Sequence, residues 1–277
     1  MLSRRQFIRF SLTLSILGWK GLALAKSPAL KFGTLPVISI RRAYEIYAPL
    51  IEYFEKSLDQ TISLETPPNF KGMFQRILSN DFDLLLSPPH IARLAQKKLG
   101  WHPLVMCQPG HHSELMVNAS DGPKTLEEFR GKTIAVHDKS ALVVIIMLEA
   151  LAKKGHLIGR DFKVIETRSY ESSELAVKQG VAQAMISRSQ GILGQAERNQ
   201  MQVLFQAGAL PGYVIIAAPS IPKRQQQTWQ KQLLAFSATP EARIFLANLG
   251  YDTFDVATGS RMKQLDPYLK ATEASLL

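Results

Sequence analysis

Residues 69–99 read NFKGMFQRILSNDFDLLLSPPHIARLAQKKL, and the reading of this stretch decides the fold. NFKGMFQRILSND (69–81) is a short helix with Asn69 placed to cap it. FDLLLS (82–87) is a strand whose apolar run is almost continuous, the pattern of a strand buried on both faces. Pro88 and Pro89 then open a second helix, HIARLAQKKL, where proline is favourable in the first turn. A doubly buried strand between two helices is the unit of a parallel α/β sheet.

Working outward, ALKFGTLPV (29–37) reads as a strand and TISLETPP (61–68) as another. Between them RRAYEIYAPLIEYFEKSL (41–58) is helical, with Tyr44, Tyr47, Leu50, Ile51, Phe54 and Leu58 recurring at spacings of three and four. Downstream, 101–108 and 113–118 are strands, and Thr125 caps a short helix with Glu128 at the capping-box position. KTIAV is a strand, HDKS a loop, and ALVVIIMLEALAKKG a helix ending in basic residues and Gly155. The β-branched Val-Val-Ile-Ile run makes a strand the competing reading there. A strand (162–168), a helix (171–180) and a strand (182–187) follow, then strands at 202–208 and 212–218. From Pro222 the chain reads as mostly helical. A second α/β unit therefore spans about 113–210, after which the chain returns to the first.

The chain has 277 residues and is 46% hydrophobic, enough for one large domain or two lobes. Its N-terminus reads SRRQFIR (3–9), then an apolar stretch, Phe10–Trp19, then Lys20 and Ala-Leu-Ala ending at Ala25. The apolar stretch is too short to span a bilayer. The order of charge, apolar run and small-x-small site is that of an export signal over residues 1–25, and Ser-Arg-Arg-x-Phe resembles the twin-arginine type. Its removal takes away Arg4, Arg5, Arg9 and Lys20 and lowers the formal charge from +10 to +6, which suits an anionic ligand or an anionic membrane surface. Nucleic acid is not expected, because no basic stripe interleaves with aromatics. Cys107 is the single cysteine, so no internal disulfide forms, and its apolar surroundings read as a buried inert thiol.

The residues in order resemble the periplasmic phosphate/phosphonate-binding proteins of ABC transporters. FGTLPV followed by YAPLIEYFEKSL is similar to the family's first strand and its Tyr-x-Pro-Leu helix. The 69–92 stretch resembles its helix before Asp-hydrophobic-Gly-Pro-x-Tyr; TLEEFRGKTIAVHDKSA and ESSELAVKQGVAQAMIS resemble two further family segments. The resemblance implies a type II periplasmic-binding-protein fold. Each of its two lobes is a mostly parallel sheet flanked by helices, with a ligand cleft between them. The lobes expected are 26–112 plus 213–277, and 113–212. Hinge closure on ligand would then present a surface to a membrane partner. That partner is the permease of an ABC importer or, in the alternative reading, a sensor kinase signalled by the liganded protein. A soluble periplasmic monomer without cofactor, and no enzyme, is expected.

Ligands of open parallel sheets sit beyond the carboxyl ends of strands, where helix N-termini offer amides and partial positive charge. That places Ser87 and His90, then Ser140, then Tyr170, Ser172 and Ser173 as candidate ligand residues, although each serine can equally be an ordinary helix cap. Arg41 and Arg42 open a helix whose dipole they oppose, which suits pairing an anion or a solvated face. Tyr44 and Tyr47 line the cleft or, for one of them, the core, and Arg188 follows a strand of the second unit. The chain departs from the family at several of these points. Ser87-Pro88-Pro89-His90 replaces Gly-Pro-x-Tyr, and Ser140 is the one hydroxyl in HDKSALVV, where the family has a serine/threonine-rich loop. Tyr170-Glu171 replaces His-Asp, and Gln183-Ala184 replaces Asp-Ala. Phosphonate specificity does not follow, and a different anion or a less polar ligand stays open. No G-x-S-x-G elbow, P-loop or Cys/His signature is present, and adjacent His111 and His112 point apart in a strand, which argues against a metal site with His137 and Asp138.

Overall fold

The computed structural model describes residues 28–189 and 200–277, and the export signal expected over 1–25 lies outside them. The opening alternation forms β1 (Leu30–Gly33), α1 (Ile40–Leu58), β2 (Ile62–Glu65), α2 (Phe70–Leu78), β3 (Leu84–Ser87) and α3 (Pro89–Leu99). β1 lies between β2 and β3 and runs parallel to both. All four residues of β3 are buried, which is why its sequence is continuously apolar. Asn69 caps α2, its side-chain oxygen accepting from the Gly72 amide at 2.7 Å.

The chain continues through β4 (His102–Gln108), β5 (His111–Asn118), β6 (Thr133–Val136), α4 (Leu142–Lys153), β7 (Lys163–Glu166), α5 (Tyr170–Lys178) and β8 (Ala184–Arg188). Then come β9 (Met201–Leu210), β10 (Val214–Ala217), α6 (Lys223–Phe236), α7 (Pro240–Asn248), β11 (Thr253–Val256), α8 (Gly259–Lys263) and α9 (Leu269–Leu276). The strands form two sheets, β11-β4-β10-β3-β1-β2 and β7-β6-β8-β5-β9. Each sheet has a parallel trio at one side, extended by antiparallel strands, so both are mixed. Hydrophobic runs report burial rather than strand direction, and the antiparallel strands arise where the chain passes between lobes and returns.

Three local readings are refined. The Val-Val-Ile-Ile run is helical, because α4 buries Val143, Val144, Ile146 and Met147 against the second sheet, and that burial outweighs β propensity. The Thr125 segment is a single 3-10 turn (Glu127–Phe129): Thr125 Oγ1 accepts from the Glu128 amide at 3.3 Å, but the Glu128 carboxylate takes the Lys124 amide rather than the cap's own. The region after Pro222 contains one strand the periodicity does not show, β11, which adds to the edge of the first sheet on β4 and buries Phe254.

The chain crosses between the sheets twice, from β4 to β5 and from β9 to β10, and the two crossings lie against each other. A Cβ at Gly110 would stand 2.6 Å from the Leu210 carbonyl oxygen, and one at Gly212 would stand 1.9 Å from that of Cys107. Only glycine fits at such backbone approaches. The Cys107 thiol itself is free and fully buried, and burial pushes its ionisation well up, leaving it unreactive.

Candidate functional site: an aromatic cavity between the lobes

The carboxyl ends of β3, β6 and β8 converge on a cavity of about 40 Å³, space for a few waters. The first lobe supplies Phe70, Pro88, Pro89, Tyr213 and Tyr251. His111, at the start of β5 in the second sheet, stands opposite them with His137, Tyr170, Arg188 and the opening of α4, Ala141 to Val143, of the second lobe. Beyond His137 a polar vestibule of about 730 Å³ opens, with Lys71, Asp138, Lys139, Glu166 and Arg168 on its walls. Lys139 and Glu166 pair at 3.3 Å, so the mouth retains a cationic balance that attracts anions.

Arg188, the last residue of β8, is 4% exposed. It donates from Nη1 to the Tyr251 hydroxyl at 2.9 Å and from Nη2 to the Leu249 carbonyl. Its guanidinium carbon lies 4.9 Å from the ring centre of Tyr213 and 5.1 Å from that of Tyr251. A charged fork of the second lobe is thus held between two tyrosines of the first, in a geometry that suits cation–π contact and oxyanion recognition.

His137 stacks on Tyr170 with ring centres 3.9 Å apart and meets the edge of Phe70 at 6.2 Å. Burial, with the Arg188 charge second, lowers its pKa to about 3, so the ring is neutral at physiological pH. Its Nδ1 has no hydrogen-bond partner among the described residues. His90 does not line the cavity but sits just behind Pro89, fully buried, its Nε2 2.9 Å from the Ser140 carbonyl of the other lobe. A carbonyl can only accept, so Nε2 carries the hydrogen. Burial lowers the His90 pKa to about 4, partly offset by that bond. The Phe70 amide to Asp138 Oδ2 at 3.5 Å and Arg42 to Glu171 at 3.8 Å also join the lobes.

Of the residues expected from sequence, Tyr170 and Arg188 line this cavity. The serines surround it with their hydroxyls turned to their own loops. Ser87 donates to the Pro88 carbonyl at 3.1 Å, and Ser140 donates from both its hydroxyl and its amide to Asp138 Oδ1. The Ser172 amide is taken by Ser169, which is the N-cap of α5, and Ser173 is held by Thr167 at 2.7 Å and by the Ser169 carbonyl. The α3 opening also offers fewer amides than a helix start usually does, because Pro88 and Pro89 carry none. Arg41 is exposed and lies 3.7 Å from Glu45. Arg42 and Tyr47 flank a separate small hollow behind Tyr213. Tyr44 is surface-exposed, its hydroxyl donating to the Leu64 carbonyl at 3.1 Å. Tyr47 is the core member of the pair, fully buried with its ring 5.5 Å from that of Phe245.

Sequence reasoning missed Phe70, Tyr213 and Tyr251, and weighed His111 and His137 only as metal ligands. Tyr213 and Tyr251 are 38 residues apart and meet only because β10 and β11 flank the same strand, β4. The His111 ring lies 4.6 Å from that of Tyr251, whereas His112 faces solvent, as adjacent strand residues must. A glycine before each tyrosine was the one local signal.

Residues 32–261 match a family model described as the periplasmic substrate-binding protein of phosphonate ABC transporters. Solved structures share the fold at low identity. A binding-protein component of an ABC phosphonate transporter from Pseudomonas aeruginosa superposes with TM-score 0.77 at 17% identity, over 90% of this chain and 89% of that one. PhnD1 from Prochlorococcus marinus, solved in complex with methylphosphonate, gives 0.73 at 12% over 88% and 98%. The periplasmic aliphatic sulphonate-binding protein SsuA from Escherichia coli gives 0.60 at 16% over 88% and 92%. No curated protein sequence matches the chain significantly. The family match spans both sheets and the cleft between them, and the chain belongs to the periplasmic substrate-binding proteins of phosphonate ABC transporters.

Proposed function

We propose that this chain captures a small oxyanion in the cleft between its lobes, residues 26–112 with 213–277 and residues 113–212, and delivers it to the permease of an ABC importer. Export through a twin-arginine-type signal over residues 1–25 belongs to the same reading. The observation that carries it is Arg188, a buried guanidinium of one lobe met by the Tyr251 hydroxyl of the other in the cavity where the parallel strands end. Closure assembles the site, since neither lobe alone encloses the cation. The leading amides of α4 stand at the same wall and add partial positive charge.

The test is calorimetric titration of the chain from Lys26, unfolded and refolded to remove carried-over ligand. The panel is phosphate, phosphite, methylphosphonate, 2-aminoethylphosphonate, methanesulfonate and sulfate. Micromolar or tighter binding of at least one, weakened about a hundredfold in Arg188→Gln, is the expected result. Tyr251→Phe serves as a milder second variant should Arg188→Gln not fold. A folded wild-type protein that gives no heat with any of the six overturns the oxyanion reading.

A further inference from the structure

The cavity between the lobes has room for little more than a head group. Its volume of about 40 Å³ takes about three waters. A tetrahedral oxyanion bearing a hydrogen or a single carbon fills such a space. The size depends on how far apart two walls stand, Pro88 and Pro89 of the first lobe and Ala141, Leu142 and Val143 of the second. The residue next to each wall takes part in one hydrogen bond. His90 follows Pro89, Ser140 precedes Ala141, and His90 Nε2 donates to the Ser140 carbonyl at 2.9 Å. Both sides of that bond are stiff. Two prolines of fixed φ lead into His90, and Ser140 is held to Asp138 by its amide at 2.8 Å and by its hydroxyl. His90 is fully buried, so parting the walls leaves a buried donor unpaired. The other links between the lobes are looser. Phe70 to Asp138 spans 3.5 Å, and Arg42 to Glu171 spans 3.8 Å between exposed side chains. Arg188 crosses on a long side chain that itself lines the cavity.

We infer that the His90–Ser140 hydrogen bond fixes the width of the cavity and makes the protein select oxyanions by size, taking a head group with a hydrogen or one carbon and discriminating against longer chains. The inference rests on the oxyanion reading above and names its substrate class: phosphite, methylphosphonate and methyl-sized sulfonates. His90 is a positioning residue, because it stands behind Pro89 and does not line the cavity. Each added methylene needs roughly the 30 Å³ that one water occupies in the liquid. A propyl chain therefore drives the walls apart and breaks the bond. Leaving that buried donor unpaired weakens binding by about ten- to a hundredfold.

The test is a chain-length series at one pH. Methyl-, ethyl- and propylphosphonate, and the three matching alkanesulfonates, are titrated calorimetrically into the refolded chain from Lys26. In whichever series binds, the propyl Kd is expected to exceed the methyl Kd by about tenfold or more. A propyl compound bound within about threefold of its methyl parent, or more tightly, overturns the inference and leaves the oxyanion reading standing. Failure of all six to bind folded protein removes both. Two variants then read the role of His90. Glutamine places an amide nitrogen close to the position of Nε2 and keeps the donor, whereas the shorter asparagine falls short of the Ser140 carbonyl. His90→Gln is expected to keep the wild-type ratio of propyl to methyl Kd, and His90→Asn to bring it below about threefold. The ratio cancels any general loss of affinity or stability, which a merely structural role would produce for all chain lengths alike. His90→Leu takes the place of His90→Asn should that variant not fold. A ratio that stays at the wild-type value without the donor overturns the assignment of the width to His90.

Discussion

His90 of the first lobe and Ser140 of the second meet across the cleft, the imidazole Nε2 lying 2.9 Å from the carbonyl oxygen. The ring is fully buried, and burial lowers its pKa from 6.5 to about 4. As pH falls through 6.5 the unfolded chain takes up the proton first, so the stability contributed by neutral His90 is complete at neutral pH and drains as pH approaches 4. The full loss is about 3 kcal/mol, at about 1.4 kcal/mol per pH unit inside that window. Urea melts at pH 7.5, 6 and 5 are expected to show wild type losing stability on acidification. His90→Gln, which keeps a donor toward Ser140 without titrating, is expected to lose less. Parallel slopes for the two proteins would exclude His90 as a source of acid sensitivity.

Tyr251 does two jobs with one oxygen. It accepts from Arg188 at 2.9 Å and from the Tyr213 amide at 3.3 Å. Tyr251→Phe leaves both donors buried, which is expected to lower stability by about 1–3 kcal/mol. Oxyanion affinity should fall in the same variant, because the guanidinium loses one of its hydrogen bonds to the first lobe and keeps the one to the Leu249 carbonyl. Thermal melts and calorimetry on one preparation check both.

The two best-placed serines separate in their effects. Ser173 is fully buried and bonded to Thr167 and Ser169, so Ser173→Ala is expected to lower stability by about 1 kcal/mol and leave the affinity of the folded protein unchanged. Ser140→Ala keeps the amide bond to Asp138 and loses only the hydroxyl bond, so ligand binding is expected to weaken by less than about tenfold. A hundredfold loss in either variant would mean that the hydroxyl turns to the ligand.

Gly212→Ala places a methyl group 1.9 Å from the Cys107 carbonyl oxygen, an overlap that only separation of the two crossing segments can relieve. A loss of stability of at least about 3 kcal/mol is expected, read as a fall in the urea midpoint. Gly131→Ala meets nothing within 4 Å and serves as a control, limited to the strain of its φ of 76°.

Much of the architecture was legible in local sequence. The buried run Leu84–Ser87, the Asn69 cap, the double proline before α3 and the three- and four-residue spacing along α1 each act over a few residues, and each appears where the pattern puts it. β11 was not legible, because four residues at a sheet edge become a strand only when β4 lies beside them. Strand direction was not legible either, since burial on both faces looks the same in parallel and antiparallel sheets.

The candidate site divides along the same physical line. Sequence by itself determined the strand–helix alternation, the return of the chain to its first lobe, and two of the residues at the cavity, Tyr170 and Arg188, because these follow from local periodicity and position beyond strand ends. Tertiary structure alone decided that Ser87, Ser140, Ser172 and Ser173 spend their donors inside their own loops, since a hydroxyl turns to whichever acceptor the fold brings nearest. It also decided that Tyr213, Tyr251, His111 and His137 gather around one guanidinium. His137 meets Tyr170, and Tyr213 meets Tyr251, through the strand order within each lobe, and only the approach of the two lobes brings both pairs to one guanidinium; no local pattern records either step.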